Sequence, residues 1–360
     1  MSKKNNWRFF LITFFSLGLV SLLAIFLIWH NIFAVNVHTL EGKETRIYIN
    51  KDENITNLVT QLEADSIVLK PKAFLLVSRA MGIKSTTILP AGCYAVNPNM
   101  NYLQLIQRIK RGEQVPVRLT INYMRLPEQF ASKVSKQLMI DSVEIMNFIT
   151  DEVKMAELGY EPKHLFSLVI RNTYEVWWTI SVEKLMQRLK KENDAFWNAN
   201  SRREKAERIG LTIPEVITLA SIVEEETNYQ PEKSRIAGLY LNRLHKGIRL
   251  QSDPTVKYAL KNFTLNRILF EHLKVDDPYN TYKYAGLPPG PIRLPSVATI
   301  DAVLNAEKHN YIYMCAHPDF NGTHNFAVTL AEHNSNAAKY HAALHKWLAE
   351  KKKKQTTNQP

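Results

Sequence analysis

Three adjacent glutamates, Glu224 to Glu226, close an apolar segment at residues 213–227 and are the best candidates for acid–base chemistry. On a helical wheel of about 100° per residue, Glu226 continues the apolar stripe of this segment. The stripe consists of Leu219, Ile222 and Val223. A carboxyl held against apolar walls loses hydration, which disfavours its ionised form and raises its pKa toward that of a useful general acid. The pattern therefore indicates a proton donor at Glu226.

The same segment allows a second interpretation, in which the helix frays before its last glutamate because Pro231 follows, leaving all three carboxylates solvated. The wheel also places Glu225 on a polar side with Thr218 and Ser221, and Glu224 at the margin of the apolar arc. The three glutamates are therefore expected to have different environments.

Hydrogen-bonding and aromatic residues follow these glutamates, a composition that suits sugar hydroxyls and ring faces. Asp253 precedes Pro254, a pairing that predicts a helix cap rather than a second catalytic acid. His317, His324 and His333 lack the close spacing of metal ligands, so we expect structural or hydrogen-bonding roles and no metal site.

The elements that must position these side chains form a mainly helical region with short strands, predicted over residues 116–348. Thr212 can cap the helix that carries the glutamates, and Pro214 suits its first turn. A proline-rich loop at 276–295 cannot be a regular helix or strand. The other predicted elements are a strand at 117–121, helices near 127–138, 141–151, 180–199, 213–229 and 231–246, a helix from Ser296, strands at 311–315 and 325–329, and a C-terminal helix.

A smaller region at residues 45–115 precedes this one and reads strand, helix, helix, strand, helix. Asn54 can cap the first helix, and residues 102–109 form a second amphipathic stretch. A linker is predicted at 30–44 and a disordered basic tail at 349–360. The predicted fold class is α+β, with a small module followed by a mainly helical domain.

Residues 9–29 contain no charged side chain, and at about 1.5 Å per residue such a helix crosses a bilayer core. Basic residues stand in the predicted cytoplasmic segment 1–8 and are missing just after the span, so the positive-inside rule places the N-terminus inside. A cleaved signal peptide is the alternative, but its apolar core would be shorter. We expect a single-pass protein of the bacterial cytoplasmic membrane with its later domains on the extracytoplasmic side.

Composition excludes several classes of protein. The chain has 360 residues with 46 basic and 34 acidic side chains, so its formal charge of +12 suits an anionic surface or polymer as partner. Only Cys93 and Cys315 occur, which excludes a disulfide framework, a zinc ribbon or an iron–sulfur cluster. The sequence lacks the Walker, Rossmann, zincin and serine-hydrolase motifs. We therefore expect no cofactor and no nucleic-acid partner.

Six motifs in order make the chain resemble the endolytic murein transglycosylase family, the MltG or YceG-like proteins. They are Ala220-Ser-Ile-Val-Glu-Glu-Glu-Thr227, Leu241-Asn-Arg-Leu244, Arg249-Leu-Gln-Ser-Asp-Pro-Thr-Val256, Tyr279-Asn-Thr-Tyr282, Gly286-Leu-Pro-Pro-Gly-Pro-Ile292, and His324-Asn-Phe326 with His333-Asn334. The similarity also covers the N-terminal span and the small module, which looks like a LysM-like subdomain with Ala91-Gly-Cys-Tyr94 at its turn.

The resemblance implies that Glu226 is the catalytic glutamate and Glu224 a supporting residue, while Glu225 falls at a variable position. One departure is Arg171, which stands where relatives usually have proline, so the groove wall there is expected to differ. The residues expected to bind substrate are Gln251, Asp253, Thr255, Asn280, Tyr282, Asn242, Arg243 and His324.

The activity implied is lytic cleavage of the MurNAc–GlcNAc bond in nascent peptidoglycan strands, giving 1,6-anhydro-MurNAc ends and terminating glycan elongation. Peptidoglycan strands and the lipid bilayer are the expected partners, with peptidoglycan synthases as further candidates. Two alternatives remain at this stage, a membrane-anchored peptidoglycan-binding protein without catalysis and a hydrolytic muramidase.

Overall fold

The computed structural model describes residues 3–34, 36–39 and 42–357, which fold into two compact units. The remaining residues belong to the predicted cytoplasmic terminus, linker and tail, and those parts of the predictions lie outside the described residues. The first unit comprises Met1–Leu119, Gln137–Met139 and Glu175–Ile180, and the second comprises Thr120–Lys136, Ile140–Tyr174 and Ser181–Pro360.

The chain begins with a long helix, α1 (Lys3–Phe33). Its apolar part, Phe9–Leu27, is 19 residues long and is not buried by the rest of the chain. The helix is therefore long and apolar enough to cross a membrane, which is consistent with the predicted anchor.

The first unit has the predicted order of strand, helix, helix, strand and helix. The two strands pair antiparallel from Thr45↔Val96 to Ile49↔Gly92. The Asn54 side chain caps the first helix by accepting hydrogen bonds from the backbone N–H groups of Thr56 and Asn57. The elements are β1 (Thr45–Ile49), α2 (Ile55–Ala64), α3 (Pro71–Ala80), β2 (Gly92–Val96) and α4 (Tyr102–Arg111). The mixed helix and strand content is confirmed, whereas the LysM-like identity of this unit stays a prediction.

Short strands β3 (Val117–Ile121) and β4 (Asn172–Val176) pair with each other. Apart from β4, the elements between β3 and the glutamates are helical. These are α5 (Pro127–Ser135), α6 (Ser142–Ile149), α7 (Glu152–Glu157), α8 (Leu165–Leu168), α9 (Val182–Asn198), α10 (Arg202–Arg208) and α11 (Ile213–Glu226). The predicted helices are present, and each is a few residues shorter than its hydrophobic pattern suggests.

Helix α11 is the centre of the second unit, because every residue from 216 to 223 is buried. Its buried side chains are apolar or have their polar atoms hydrogen-bonded within the protein, as expected of a helix enclosed by neighbours. Thr212 stands at its N-cap, and its backbone N–H donates to the Glu215 carboxylate at 2.8 Å. The predicted cap is confirmed, and the helix continues through Glu226 rather than fraying before it.

The predicted polar side of α11 is wrong. Thr218 and Ser221 are buried, and their hydroxyls donate to the backbone carbonyls of Pro214 and Thr218 at 2.8 and 2.7 Å. Ser221 also accepts the backbone N–H of Ile292 at 3.0 Å. Small hydroxyl residues are tolerated inside the unit because their polar atoms find backbone partners.

The remainder of the chain builds the surroundings of α11. The C-terminal strands form an antiparallel hairpin in which Ala316 pairs with His324. The last helix continues through residues 349–357, which differs from the predicted disordered tail. The elements are α12 (Lys233–His245), α13 (Asp253–Ala259), α14 (Val297–Leu304), β5 (Tyr313–Ala316), β6 (His324–Ala327) and α15 (Leu330–Thr357).

Candidate active site

Glu226 is the last residue of α11, and its carboxyl is held by two hydroxyl groups from other elements. The Tyr240 hydroxyl on α12 donates to Oε1 at 2.6 Å, and the Ser252 hydroxyl before α13 donates to the same oxygen at 2.5 Å. Among the described residues no further donor contacts the carboxyl. Both of these hydrogen bonds go to Oε1 and neither goes to Oε2.

The environment of Glu226 favours its protonated form. Burial raises the pKa of this carboxyl above its usual value, against the opposing effect of the hydrogen bonds from Ser252 and Tyr240. The nearby Asp253 charge raises the pKa further, while His324 lowers it. Desolvation is the largest of these effects, and it favours the protonated form of the carboxyl that a general acid needs.

Glu226 lies on a polar cavity of about 380 Å³. Five of the predicted substrate-binding residues line this cavity with it: Arg243, Gln251, Asp253, Tyr282 and His324. A second cavity of about 630 Å³ shares Glu226, Ala316 and His324 with the first. The two cavities together form a cleft with Glu226 and His324 at their junction. The second cavity also includes Tyr229, Phe320 and Tyr340, which offer aromatic surface.

Arg243 and Gln251 form one fixed part of this cleft. The Arg243 guanidinium is buried and donates to the Gln251 side-chain oxygen at 2.5 Å and to the backbone carbonyls of Arg249 and Ile312 at 2.9 and 2.6 Å. Gln251 adopts a left-handed backbone conformation, with φ of 53°. A non-glycine residue pays for this conformation, and such strain is concentrated at functional sites.

Asp253 and Tyr282 form a second fixed pair. The Tyr282 hydroxyl donates to Asp253 Oδ1 at 2.6 Å, and burial raises the pKa of this tyrosine. Asp253 does not cap α13 as predicted. Ser252 occupies the N-cap position, and Asp253 is the first helical residue with its side chain exposed at the cleft. The carboxylate is thus available to a ligand.

Three predicted substrate-binding residues do not line the cleft. Asn242 donates to the backbone carbonyls of His309 and Tyr311 at 2.7 and 3.0 Å. Thr255 and Asn280 are fully buried. The Thr255 hydroxyl donates to the Ser252 carbonyl at 2.7 Å, and the Asn280 amide donates to carbonyls of the loop before it. Their polar groups hydrogen-bond to the backbone in this structure, and a role for them in substrate binding stays a prediction.

Glu224 lies in a dense cluster of donors rather than at the margin of an apolar arc. Its carboxylate accepts hydrogen bonds from Lys233 at 3.0 Å, Ser296 at 2.8 Å and Thr299, and it pairs with Arg171 at 3.1 Å. Burial alone raises its pKa, but the hydrogen bonds from Thr299, Ser296 and Lys233 outweigh this and lower the pKa to about 2. Glu224 is therefore an ionised anchor, and Arg171 is one of its partners.

Glu225 is also paired rather than solvated. Arg125 binds it through two hydrogen bonds of 3.0 and 2.9 Å, and Arg293 donates to it at 2.9 Å. The ion pairs of Glu224 and of Glu225 therefore both hold the C-terminal end of α11 in place. Glu226 forms no ion pair among the described residues, so burial raises the pKa of its carboxyl without a paired cation to oppose it.

Glu232 is a further buried carboxylate beside the cleft, and no local sequence pattern singles it out. Its oxygens accept the His324 backbone N–H and face His324 Nδ1, both at 2.9 Å. Tyr240 and Ser252 were likewise missing from the predicted site. Both residues lie in or next to the sequence motifs, but nothing in the local pattern shows that their hydroxyls point to Glu226.

No group of three or more His, Cys, Asp or Glu side chains suited to a metal ion occurs in the described part of the chain. Cys93 and Cys315 are both free thiols. The polar cleft does contain a carboxyl, that of Glu226, whose pKa burial raises.

The fold is that of a protein with mixed helices and strands, and its polar cleft contains one glutamate, Glu226, whose pKa is raised by burial. The YceG-like family matches residues 47–339, and the chain belongs to this family. It is 26% identical over 318 residues to the endolytic murein transglycosylase of Bacillus subtilis strain 168, covering 83% of this chain and 86% of that protein. It is 27% identical over 329 residues to the endolytic murein transglycosylase of Streptococcus pneumoniae serotype 2, covering 83% of this chain and 58% of that protein.

A solved structure supports the same relationship. The chain is similar to a yceG-like protein of Listeria monocytogenes whose crystal structure was determined at 2.6 Å. The identity is 27% and the TM-score is 0.55, and the match covers 81% of this chain and 98% of the other. The family resemblance inferred from the six motifs is therefore confirmed.

Proposed function

We propose that this protein is a membrane-anchored lytic transglycosylase that cuts peptidoglycan strands internally with Glu226 as its general acid. The observation that carries the proposal is the Glu226 carboxyl itself. Its Oε1 is occupied by Tyr240 and Ser252, while burial raises its pKa at the junction of a polar cleft. The curated relatives are named endolytic murein transglycosylases, which supports the same substrate class.

Glu226 performs the first step by protonating the glycosidic oxygen that leaves MurNAc. A neutral carboxyl at neutral pH is needed for this transfer, and general-acid catalysis of this type contributes about 10²–10⁴-fold to the rate. The hydrogen bonds to Oε1 also stabilise the carboxylate that remains. Tyr240 and Ser252 therefore stabilise the Glu226 carboxylate after the carboxyl has donated its proton.

The second step needs no water, because the 6-hydroxyl of the same muramic acid attacks its anomeric carbon and closes a 1,6-anhydro ring. An attacker held in the same sugar has a high effective concentration once the ring is bound in the right geometry. In the simplest scheme the Glu226 carboxylate then accepts the hydroxyl proton. One carboxyl suffices in that scheme, whereas an ordinary glycosidase needs two.

The shape of the cleft suits an internal bond. Its two cavities share Glu226 and His324, so polymer can extend past the acid in both directions. On one side the pairs Arg243–Gln251 and Asp253–Tyr282 present fixed polar groups to sugar hydroxyls. On the other, Tyr229, Phe320 and Tyr340 offer ring faces. We assign these groups to glycan binding.

The apolar helix Phe9–Leu27 supports a single-pass anchor in the cytoplasmic membrane, with the N-terminus inside and the catalytic unit outside. An anchored enzyme reaches glycan close to the membrane, so nascent strands are its expected substrate. A cut there terminates elongation, and peptidoglycan synthases are the partners that this position favours. The small first unit is assigned the role of a LysM-like glycan-binding module.

A hydrolytic muramidase is the second candidate, because Asp253 shares the cleft with Glu226 and is exposed there. A second carboxylate can activate water. Mass spectrometry of the products separates the two reactions, since anhydro ends are lighter than reducing ends by one water. We expect anhydro ends from the wild-type protein, and Asp253→Asn to keep forming them. Reducing ends alone would make the protein a hydrolase.

A binding protein without catalysis is tested by Glu226→Gln, which keeps the shape of the side chain and removes its proton. We expect cleavage to fall by about 10²–10⁴-fold, while pull-down of glycan strands is retained. The matched control is Glu207→Gln, an exposed glutamate on α10. If the wild-type protein binds glycan strands but does not cleave them, binding is the function.

A further inference from the structure

The imidazole of His324 is held in one orientation by a buried carboxylate that the mechanism above does not use. Glu232 is 6% exposed and ends a 3-10 turn just before α12. One of its oxygens accepts the backbone N–H of His324 at 2.9 Å, and the other lies 2.9 Å from Nδ1 of the same residue. The carboxylate thus fixes both the start of β6 and the ring that projects from it.

This contact determines which ring nitrogen is left for a ligand. A carboxylate accepts a hydrogen bond, so Nδ1 carries a proton toward Glu232, and a neutral ring then has its lone pair on Nε2. Within residues 3–34, 36–39 and 42–357, Nε2 makes no hydrogen bond. Since His324 lines both cavities beside Glu226, this basic nitrogen is available at the point where the cleft passes the acid.

We propose that His324, oriented by Glu232, is the group that accepts the proton of the attacking substrate hydroxyl. This inference rests on the proposed transglycosylase function and changes its second step. Glu226 remains the acid, but the base is a separate imidazole rather than the same carboxyl used twice. His324 is then a catalytic residue, and Glu232 is a positioning residue that acts through it.

The proton balance closes without a further reactant. The bond from the hydroxyl oxygen to its hydrogen breaks as that oxygen bonds to the anomeric carbon, and the proton passes to His324 Nε2. The glycosidic bond breaks, and its oxygen takes the proton of Glu226. The cleft then holds a carboxylate and an imidazolium where it held two neutral groups. Transfer of the proton from His324 to Glu226 restores the starting state.

The charges around His324 favour this sequence. Buried Glu232 stabilises the imidazolium by a charge-assisted hydrogen bond. The carboxylate formed at Glu226 is attracted to the same cation, in keeping with the effect of His324 on its pKa. The other titratable or charged groups of the surrounding cleft come from α12, α13, the proline-rich loop, β5 and α15. In the first cavity they are Tyr240, Arg243, Asp253, Tyr282, Tyr313, Cys315 and His333, and the second cavity adds Tyr229, His317 and Tyr340.

The test compares pH–rate profiles of the full chain in detergent, using uncrosslinked glycan strands and counting anhydro ends. For His324→Gln we expect kcat to fall by about 10²–10⁴-fold with KM nearly unchanged, as for loss of an acid–base group. The acidic limb of kcat/KM, which reports the neutral base, should disappear. In His324→Ala, added imidazole should restore part of the rate. The matched control is His245→Gln, an exposed histidine on α12 away from the cleft.

Glu232→Gln separates positioning from mere folding. The amide leaves the ring without the charged acceptor that orients it. For Glu232→Gln we therefore expect kcat to fall by about tenfold to a hundredfold with KM nearly unchanged, the value of a hydrogen bond to a charged group. Thermal unfolding of each variant checks the fold, and imidazole rescue identifies the lost group even where stability falls.

Two results overturn the inference alone. One is a His324→Gln protein that keeps its acidic limb and shows only a raised KM, which would make His324 a binding residue. The other is His324→Ala activity that imidazole does not restore while the protein stays folded. A wild-type protein that releases no anhydro ends would overturn the proposed function itself, and this inference with it.

Discussion

The hydroxyl of Tyr240 offers the sharpest test of how Glu226 is tuned. Tyr240 is buried, and its hydroxyl donates to Glu226 Oε1 at 2.6 Å. This hydrogen bond is stronger when the carboxyl is ionised, so it lowers the pKa of Glu226 against the larger effect of burial. Tyr240→Phe removes the donor and keeps the ring, and it should therefore raise the pKa of Glu226.

The size of the effect follows from the charge on the acceptor. A hydrogen bond to an ionised group is worth about 1.5–3 kcal/mol and one between neutral groups about 1 kcal/mol, so the difference should raise the proton affinity of Glu226 by about twofold to thirtyfold. The alkaline limb of kcat/KM reports loss of the acid's proton and should move to higher pH. Activity at the plateau should change less, since the acid stays in place.

Tyr174→Phe is the matched control for stability. Tyr174 is also buried, and its hydroxyl donates to the Ile170 carbonyl at 2.5 Å, away from the cleft. Both variants should lose about 1 kcal/mol of unfolding free energy, the usual value of a neutral hydrogen bond. Only Tyr240→Phe should shift the alkaline limb. An unshifted limb in Tyr240→Phe, or an equal shift in Tyr174→Phe, would refute the assignment of Glu226 as the titrating acid.

Two further variants test the support of the site. Glu224→Gln should cost about 3 kcal/mol of unfolding free energy at neutral pH, from a carboxyl pKa of about 2 against a usual 4.5. Because the pKa of Glu224 is lowered in the folded state, its contribution to stability is present above pH 4.5 and disappears as the pH falls toward 2. The unfolding free energies of wild type and variant, measured with denaturant, should therefore converge in acid. An equal difference between them at neutral and acid pH would contradict the ion-pair explanation. Gly238→Ala should cost about 1–3 kcal/mol by overpacking, because the new Cβ would lie 2.2 Å from the Glu307 carbonyl oxygen; a wild-type unfolding midpoint would show that this approach is not tight.

Local patterns in the sequence predicted much of the fold because they depend on near neighbours. Asn54 and Thr212 cap helices that follow them directly, and the strand, helix, helix, strand, helix order of the first unit is as expected. Helix ends were less accurate, since α11 ends at Glu226 rather than at residue 229. The end of a helix depends on what its last turn contacts, and those contacts come from elsewhere in the chain.

The same limit applies to polar residues of the site. Thr255 and Asn280 carry the right groups for binding sugar, yet both turn inward to backbone partners. Asp253 shows the opposite error, because a predicted cap lies exposed in the cleft. A polar side chain binds whichever donor or acceptor is nearest after folding, and residue type alone does not specify that neighbour.

The sequence by itself determined that Glu226 continues the apolar stripe of its helix, because helical spacing fixes which side chains share a face. Only the tertiary structure decided what that position means chemically. Tyr240, Ser252 and His324 reach the cleft from separate elements. Arginines and a lysine pair with Glu224 and Glu225, whereas no residue of the described ranges forms an ion pair with Glu226. Proton affinity depends on desolvation and on charges within a few ångströms, and those distances are set by long-range packing.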